Sequence, residues 1–189
     1  MKKALIAITL FIATAAFTTA GLWKNDKAHS QLQFTVTHLG INDVSGTFND
    51  FDVTVKSDKD DFSDAVFELS AKTASIDTRV EARNNHLKSA DFFDVEKYPE
   101  IKFSSTGIRK VSKDNYKLTG NLTIHGVTKA TTLDLVYKGQ TVNPMSKHET
   151  VGFQVKGTIK RSDFSLGSKF PEAVISDLVT IKADGEFTK

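Results

Sequence analysis

Apolar and polar residues alternate along most of the chain. Between residues 31 and 38, Leu32, Phe34, Val36 and His38 fall on one face and polar residues on the other, which is the period-2 pattern of a half-buried β-strand. Similar runs follow at residues 44–48, 51–55, 67–71, 101–103, 118–124, 133–137, 153–159 and 179–187. The apolar residues occupy even-numbered positions up to residue 48 and odd-numbered positions from residue 51. We therefore expect a bulge at Asn49 and Asp50 that bends one strand. The pattern therefore predicts about eight strands.

One segment interrupts the alternation. Thr78 is followed three residues later by Glu81, which is the spacing of a helix capping box. The stretch after it lacks Gly and Pro, so the sequence predicts a short helix from about Arg79 to Ser89, between the third and fourth strands. Phe92 and Phe93 come directly after this helix, and we expect them to plug an apolar opening.

The strand count and the polarity of the strands indicate the architecture. Closing eight antiparallel strands into a barrel removes exposed edges, which favours an all-β barrel; a flattened sandwich is the alternative. The polar face of nearly every strand carries Lys, Asp or Glu. A Lys or Arg at the midplane of a lipid-facing surface costs about 2–4 kcal/mol, so the apolar face points inward and the barrel is not a membrane barrel.

The first twenty residues have the features of a secretory signal peptide. Lys2 and Lys3 precede an uncharged run from Ala4 to Phe17, and small residues follow up to Ala20. A retained membrane anchor is the alternative, but four threonines and Gly21 make this stretch a poor membrane span. The sequence therefore predicts a signal peptide at 1–20, a single domain at 21–189, and a periplasmic or secreted location.

Composition narrows the chemistry. The chain of 189 residues has no cysteine, which excludes a thiol nucleophile, a cysteine zinc site and a lipoprotein anchor. The 25 basic and 23 acidic residues nearly balance, so nothing indicates a nucleic-acid partner. Metalloprotease, serine-hydrolase and phosphate-loop motifs are missing, and the five histidines are scattered. We expect no metal, no catalytic cofactor and no membrane-spanning segment in the mature protein, and the sequence leaves a homodimer open.

A series of motifs resembles the YceI-like family of polyisoprenoid-binding proteins. The matching segments are WKNDKAHSQLQFTVTHLG from Trp23, Gly46 with Phe48, SIDT at 75–78, RNNHLKSADFFDVEKYP at 83–99, LTGNLTIHGVT at 118–128 and RSDF at 161–164. The resemblance implies an exported, lipocalin-like antiparallel barrel that holds a long apolar lipid in an internal channel. Such a lipid would be a polyisoprenoid, an isoprenoid quinone or a fatty-acyl chain.

The candidate lining residues are inward positions of the strands together with aromatic residues of the motifs. They are Phe34, Val36, His38, Phe48, Leu69, Phe92, Phe93, Phe103, Leu122, Ile124, Phe153, Val155 and Phe164. Most apolar residues of this kind, taken singly, fill a packed core. Composition does not distinguish such a core from a cavity, and it is the resemblance that favours a channel.

Polar residues near the helix are candidates for a head-group site. Arg83 could meet the head group of a lipid with Asp91 as its ion-pair partner, and His86 lies between them in the sequence. A structural network that pins the plug to the barrel is the interpretation we favour for these residues. For His38 we favour a hydrogen bond to a buried backbone group over one to a ligand oxygen.

The sequence thus favours a lipid carrier or buffer that is not an enzyme. Burying one methylene group contributes about 0.8 kcal/mol, so aromatic walls alone can hold a long chain. Two alternatives stay open. One is an enzyme that acts on an isoprenoid or quinone lipid through His38, His86 or Asp91, and the other is a packed, ligand-free barrel that serves as an interaction module of the cell envelope.

Overall fold

The structure, a computed structural model, describes residues 21–189, so the predicted signal peptide lies outside the described residues. The strands are β1 (Gly21–His38), β2 (Asn42–Phe48), β3 (Phe51–Ser57), β4 (Val66–Lys72), β5 (Ile76–Asp77), β6 (Glu100–Lys110), β7 (Asn115–Ile124), β8 (Val127–Val142), β9 (Glu149–Lys160) and β10 (Leu178–Thr188). Helix α1 spans Glu81–Lys88, and two short 3₁₀ turns span Thr73–Ser75 and Arg161–Phe164. No helix within 21–189 is both long and apolar enough to cross a membrane.

The strands form one closed antiparallel barrel. Neighbouring strands follow the order β10-β9-β8-β7-β6-β4-β3-β1, and β10 pairs again with β1 to close the ring. The ring therefore has eight strands, as the alternation predicts, and the short β5 pairs only with β2. Closure leaves no free edge on the main ring, which stabilises a barrel against edge-to-edge aggregation.

Strands β2 and β3 form a single bent strand that runs along β1. β3 pairs with the beginning of β1, where Trp23 lies opposite Val55, and β2 pairs with its end, where Val36 lies opposite Val44. Asn49 and Asp50 separate the two halves, and the flanking Phe48 and Phe51 are both buried. The predicted bend at Asn49–Asp50 is confirmed. An extra residue there shifts the inward-facing side chains from even-numbered to odd-numbered positions, so both phenylalanines reach the interior.

The helix lies where the sequence places it, but it begins differently. Val80 precedes its first turn and makes no side-chain cap, and Arg79 has a left-handed backbone with φ 64°. The predicted capping box of Thr78 and Glu81 is wrong. The Thr78 hydroxyl instead donates to Oδ1 of Asn84 at 2.6 Å, which ties the threonine to the end of the first turn of the helix.

The lower end of the barrel, where β1 begins, is filled by aromatic rings. The ring centre of Phe62 lies 5.8 Å from Trp23 and 5.0 Å from Phe153, and Phe153 in turn contacts Phe67 and Phe187 at 5.3 and 5.5 Å. We call this group the aromatic floor: Trp23, Phe62, Phe67, Tyr137, Phe153 and Phe187. Edge-to-face contacts of this kind stabilise a core beyond the area they bury.

Phe62 reaches this floor from a loop. The acidic stretch at 57–64 has the composition of a solvated turn, yet Phe62 within it is buried and has a left-handed backbone with φ 56°. Below the floor, the Tyr116 hydroxyl donates to the backbone oxygen of Asp61, which holds the loop against β7. The turn therefore closes the lower end of the barrel.

Candidate ligand-binding cavity

Above the aromatic floor the barrel is hollow. A cavity of about 570 Å³ lies between the inward faces of the strands, and its wall is mostly apolar. Val53, Leu69, Val155 and Ile181 line this cavity and remain partly accessible although they point inward. The barrel interior is thus divided into a packed lower part and an open upper part.

Fourteen of the predicted site residues lie on the cavity wall. They are Phe34, Val36, His38, Phe48, Leu69, Arg83, His86, Phe92, Phe93, Phe103, Leu122, Ile124, Phe153 and Val155. Nine come from strands whose alternation points them inward. The other five are His38 at the end of β1, Arg83 and His86 on α1, and Phe92 and Phe93 just after it. The structure therefore brings residues from distant parts of the sequence to one enclosed surface.

Two predicted site residues lie outside the wall. Phe164, in the second 3₁₀ turn, is fully buried in the core but does not line the cavity. Asp91 faces the outside of the barrel mouth, where its carboxylate lies 2.5 Å from Nζ of Lys169 and 3.4 Å from Nε2 of His86. The predicted Arg83–Asp91 ion pair is absent from the described residues, because Lys169 takes that position on Asp91.

The mouth of the cavity lies at the upper end, where β1 finishes. His38, Asn42 and His86 line the cavity at this end and are also exposed, which marks an opening there. His38 was expected to satisfy a buried backbone group. The structure corrects this interpretation, since the ring lies on the exposed rim and makes no side-chain hydrogen bond with residues 21–189.

Two aromatic groups cover the upper cavity. Phe92 and Phe170 stack with ring centres 5.0 Å apart and planes 14° from parallel, and the edge of His86 meets both rings. Phe93 meets Phe48 edge-on at 5.6 Å. The two phenylalanines after α1 thus line the upper cavity, and Phe170 joins Phe92 from another part of the chain.

The two covering segments are joined by the Asp91–Lys169 ion pair. Asp91 follows α1, whereas Lys169 lies in the segment 165–177 between the second 3₁₀ turn and β10. Lys169, and then His86, hold the pKa of Asp91 below its usual value, so this carboxylate is charged at neutral pH. The Lys169 side chain is largely exposed and that of Asp91 is about one third exposed, so the pair contributes at most about 1 kcal/mol.

Arg161 organises the segment 165–177 from within. All five of its N–H groups donate to backbone oxygens, namely those of Ser176, Leu166, Gly167, Phe170 and Ile175, at 2.6–3.2 Å. The segment is also bound to the end of β1, where the N–H of Leu39 donates to the oxygen of Val174 at 3.0 Å. A buried guanidinium with every donor used holds this loop in one conformation.

Arg83 is held in a different way. Its Nε–H donates to the Thr78 hydroxyl and one Nη2–H donates to the Thr78 carbonyl oxygen, both at 2.8 Å. Thr78 is buried, and its own hydroxyl proton goes to Asn84. The guanidinium is therefore fixed along one edge against the cavity wall.

Sequence reasoning missed several wall residues. Val53, Phe67, Leu118, Leu133 and Ile181 fall on inward positions of predicted strands, so alternation alone could have found them. Leu166, Phe170, Val174 and Ile175 carry no such signal. They come from an irregular segment whose position depends on the distant contacts of Arg161.

Comparisons with known proteins agree with this architecture. The family model described as "YceI-like domain" matches residues 23–187. A UPF0312 protein from Pectobacterium atrosepticum is 39% identical over 170 residues, covering 88% of each chain. The matched region thus includes every strand of the barrel.

Solved structures show the same fold. The Campylobacter jejuni YCEI protein superposes with a TM-score of 0.73 at 30% identity, covering 96% of this chain and 99% of that one. A polyisoprenoid-binding domain from Saccharophagus degradans gives a TM-score of 0.70 at 17% identity, covering 90% of this chain and 99% of that domain. At that identity the second comparison supports the fold alone.

Proposed function

Since the chain belongs to the family of YceI-like domains, we propose that it is an exported protein that binds one long-chain apolar lipid inside its barrel and carries or buffers it. The observation that carries this proposal is the apolar cavity above the aromatic floor. The almost wholly apolar wall of this cavity supports an isoprenoid or acyl lipid as the ligand class.

The energetics favour such a ligand. Each buried methylene contributes about 0.8 kcal/mol, so ten carbons contribute roughly 8 kcal/mol. Association and chain ordering cost about 4–15 kcal/mol, so a useful affinity requires more than ten buried carbons. The cavity is large enough to meet this requirement, and its apolar wall does not discriminate strongly between chains of similar width.

The proposal includes export and binding without chemical conversion. Export follows from the features of residues 1–20 in the sequence, and release of the lipid would then take place outside the cytoplasm. Two of the three polar groups considered for catalysis are engaged in structural contacts, since His86 meets two aromatic rings and Asp91 pairs with Lys169; the third, His38, lies on the exposed rim. This arrangement supports a binding role for them.

Native mass spectrometry of protein purified from its own host without detergent tests the proposal. We expect a stoichiometric adduct of prenyl or acyl mass, which organic extraction would release and identify. A protein that carries no adduct, and that stays free after incubation with long-chain lipids, would favour the ligand-free interaction module. Fractionation of the same cells tests export, and turnover assays on any released lipid test the enzyme alternative.

A cavity-filling variant links the adduct to the cavity. Val155 on β9 faces the cavity, so Val155→Trp should occupy part of its volume and lower lipid occupancy. Thr158→Trp on the same strand is exposed and is the matched control, which should retain full occupancy. Val155 suits this test better than Phe153, because Phe153 belongs to the aromatic floor and its replacement would destabilise the fold.

A further inference from the structure

Two guanidinium groups, those of Arg83 and Arg161, lie on the cavity wall, and they differ in how many of their N–H donors have a protein partner. Arg161 uses all five N–H groups on backbone oxygens. Arg83 uses two, both on Thr78, so three N–H donors are left without a partner among residues 21–189. Among the ion pairs within residues 21–189, none involves Arg83. Arg83 is thus a fixed cation with spare donors on an apolar surface.

A cation in such a place interacts strongly with an anion. The low dielectric of an apolar cavity weakens screening, so a charge-assisted hydrogen bond formed there is stronger than one in water. The planar guanidinium fork matches two oxygens of one carboxylate or phosphate group. The contacts with Thr78 and Asn84 fix the side chain in advance, which lowers the entropy cost of binding such a group.

The position of Arg83 sets the direction of the bound chain. Thr78 lies beside Gly46 and Phe34, since a Cβ on Gly46 would be 2.8 Å from Thr78 Cγ2 and 2.5 Å from Phe34 Cζ. His86, one turn further along α1, contacts Phe170 at the mouth. Arg83 therefore lies toward the mouth, at the end opposite Phe67 and Phe153 of the aromatic floor. A head group on Arg83 would direct the hydrocarbon chain toward that floor.

The cavity volume limits the length of the chain. A protein cavity of about 150 Å³ accommodates one benzene ring of six carbons. At that density the cavity of about 570 Å³ holds roughly 20 to 25 carbon atoms. A longer chain would leave part of its length outside the mouth, where burial no longer contributes to affinity.

We propose that the ligand is an anionic amphiphile, whose carboxylate or phosphate oxygens bind the free edge of Arg83 and whose single chain of about 20 to 25 carbons fills the cavity down to the aromatic floor. This inference rests on the proposed function. To that function the inference adds the charge of the head group, the residue that binds the head group and the length of the buried chain.

Displacement of a fluorescent fatty acid by three ligands of equal chain length tests the head group. The ligands are a saturated C20 fatty acid, a C20 alkyl monophosphate and the neutral C20 alcohol. We expect the acid or the phosphate to bind about 10- to 100-fold more tightly than the alcohol. This is the gain in affinity that one hydrogen bond to a charged group provides. The better of the two anions identifies the kind of head group.

Substitution of Arg83 assigns this preference to one residue. Arg83→Gln should abolish the difference in affinity between the anions and the alcohol. Lys88→Gln, which removes a cation of the same helix outside the cavity wall, should keep the preference. If Arg83→Gln does not fold, Arg83→Lys replaces it; this variant keeps the charge but loses the fork, and should retain only part of the preference.

A series of saturated fatty acids from C12 to C30 tests the length. Affinity should rise about fourfold per methylene and level off between about C20 and C25. Equal binding of acid and alcohol by the wild type, or an anion preference that survives in Arg83→Gln, overturns the head-group assignment. Affinity that rises steadily to C30 overturns the length limit. Failure of every ligand to bind the wild type instead contradicts the proposed function itself.

Discussion

The ring of Phe103 occupies the space that a side chain at residue 120 would need. A Cβ built on Gly120 of β7 would lie 2.4 Å from Cζ of Phe103 on β6 and 2.6 Å from the backbone oxygen of Ser104. Gly120 therefore fixes where the Phe103 ring meets the cavity wall, and the glycine has a packing role rather than a conformational one.

Gly120→Ala should displace this ring. Because neither the ring nor the backbone oxygen can yield easily, we expect a loss of about 1–3 kcal/mol in the free energy of unfolding, measured by urea denaturation. Lipid occupancy should fall as well, since the ring would turn toward the cavity. Gly107→Ala is the control: its nearest atom would be Thr119 Oγ1 at 3.5 Å, so this variant should be neutral or more stable by up to about 1 kcal/mol.

Arg161→Met should loosen the cover of the cavity. The substitution leaves five backbone oxygens without their donor, and buried unsatisfied groups cost about 1–3 kcal/mol each when water does not reach them. We expect a loss of at least about 2–3 kcal/mol and faster amide hydrogen exchange, concentrated in residues 165–177. Arg109→Met, at an exposed position of β6, should change neither quantity. Unchanged exchange in this segment would contradict the role given to Arg161.

Lys169→Met should speed the release of a bound lipid with little effect on stability. The Asp91–Lys169 pair joins the two segments that cover the mouth, but it is solvated, so its loss should cost less than about 1 kcal/mol. The measurement is the rate of lipid transfer to acceptor vesicles at low and moderate salt. Lys117→Met breaks a comparable pair with Asp134 on the barrel wall and should leave the rate unchanged. If Lys169→Met releases the lipid no faster than Lys117→Met, the Asp91–Lys169 pair has no gating role.

Glu100 should make stability depend on pH in the acid range. Hydrogen bonds from Lys72 and then Lys102 lower the pKa of Glu100 from 4.5 to about 2. The folded state thus binds fewer protons than the unfolded state between these values, so the contribution of Glu100 is complete above about pH 5 and is lost as the pH falls toward 2. Glu100→Gln should show a smaller loss of stability over this range in urea titrations. Glu96→Gln, at an exposed position without an ion pair among residues 21–189, should follow the wild type.

The barrel could be predicted because its signal is local and repeated. Leu118, Leu122 and Ile124 alternate with polar residues in the sequence and all three point inward in β7. The alternation did not distinguish the packed region from the hollow one. Tyr116 and Leu122 occupy equivalent inward positions of the same strand, yet only Leu122 lines the cavity. The difference depends on which rings arrive from other strands and from the loop of Phe62.

The parts that sequence reasoning missed depend on non-local hydrogen bonds. Thr78 has the spacing of a capping residue, but its hydroxyl is engaged by Arg83 and Asn84. The segment containing Phe170 and Ile175 shows no periodicity, and its position follows from Arg161. In both cases a polar side chain selects one of several geometries that the local sequence allows.

The division of the barrel into an aromatic floor and a hollow upper part has a consequence for how such proteins diversify. Substitutions at the partly accessible wall positions Val53, Leu69, Val155 and Ile181 alter the shape and polarity of an existing void, so they disturb fewer packed contacts than substitutions at buried positions. Those in the floor remove interlocked rings and cost much more. A lineage with this architecture can exchange one cargo for another through mutations above Phe153, while selection for folding acts mainly on the residues below it.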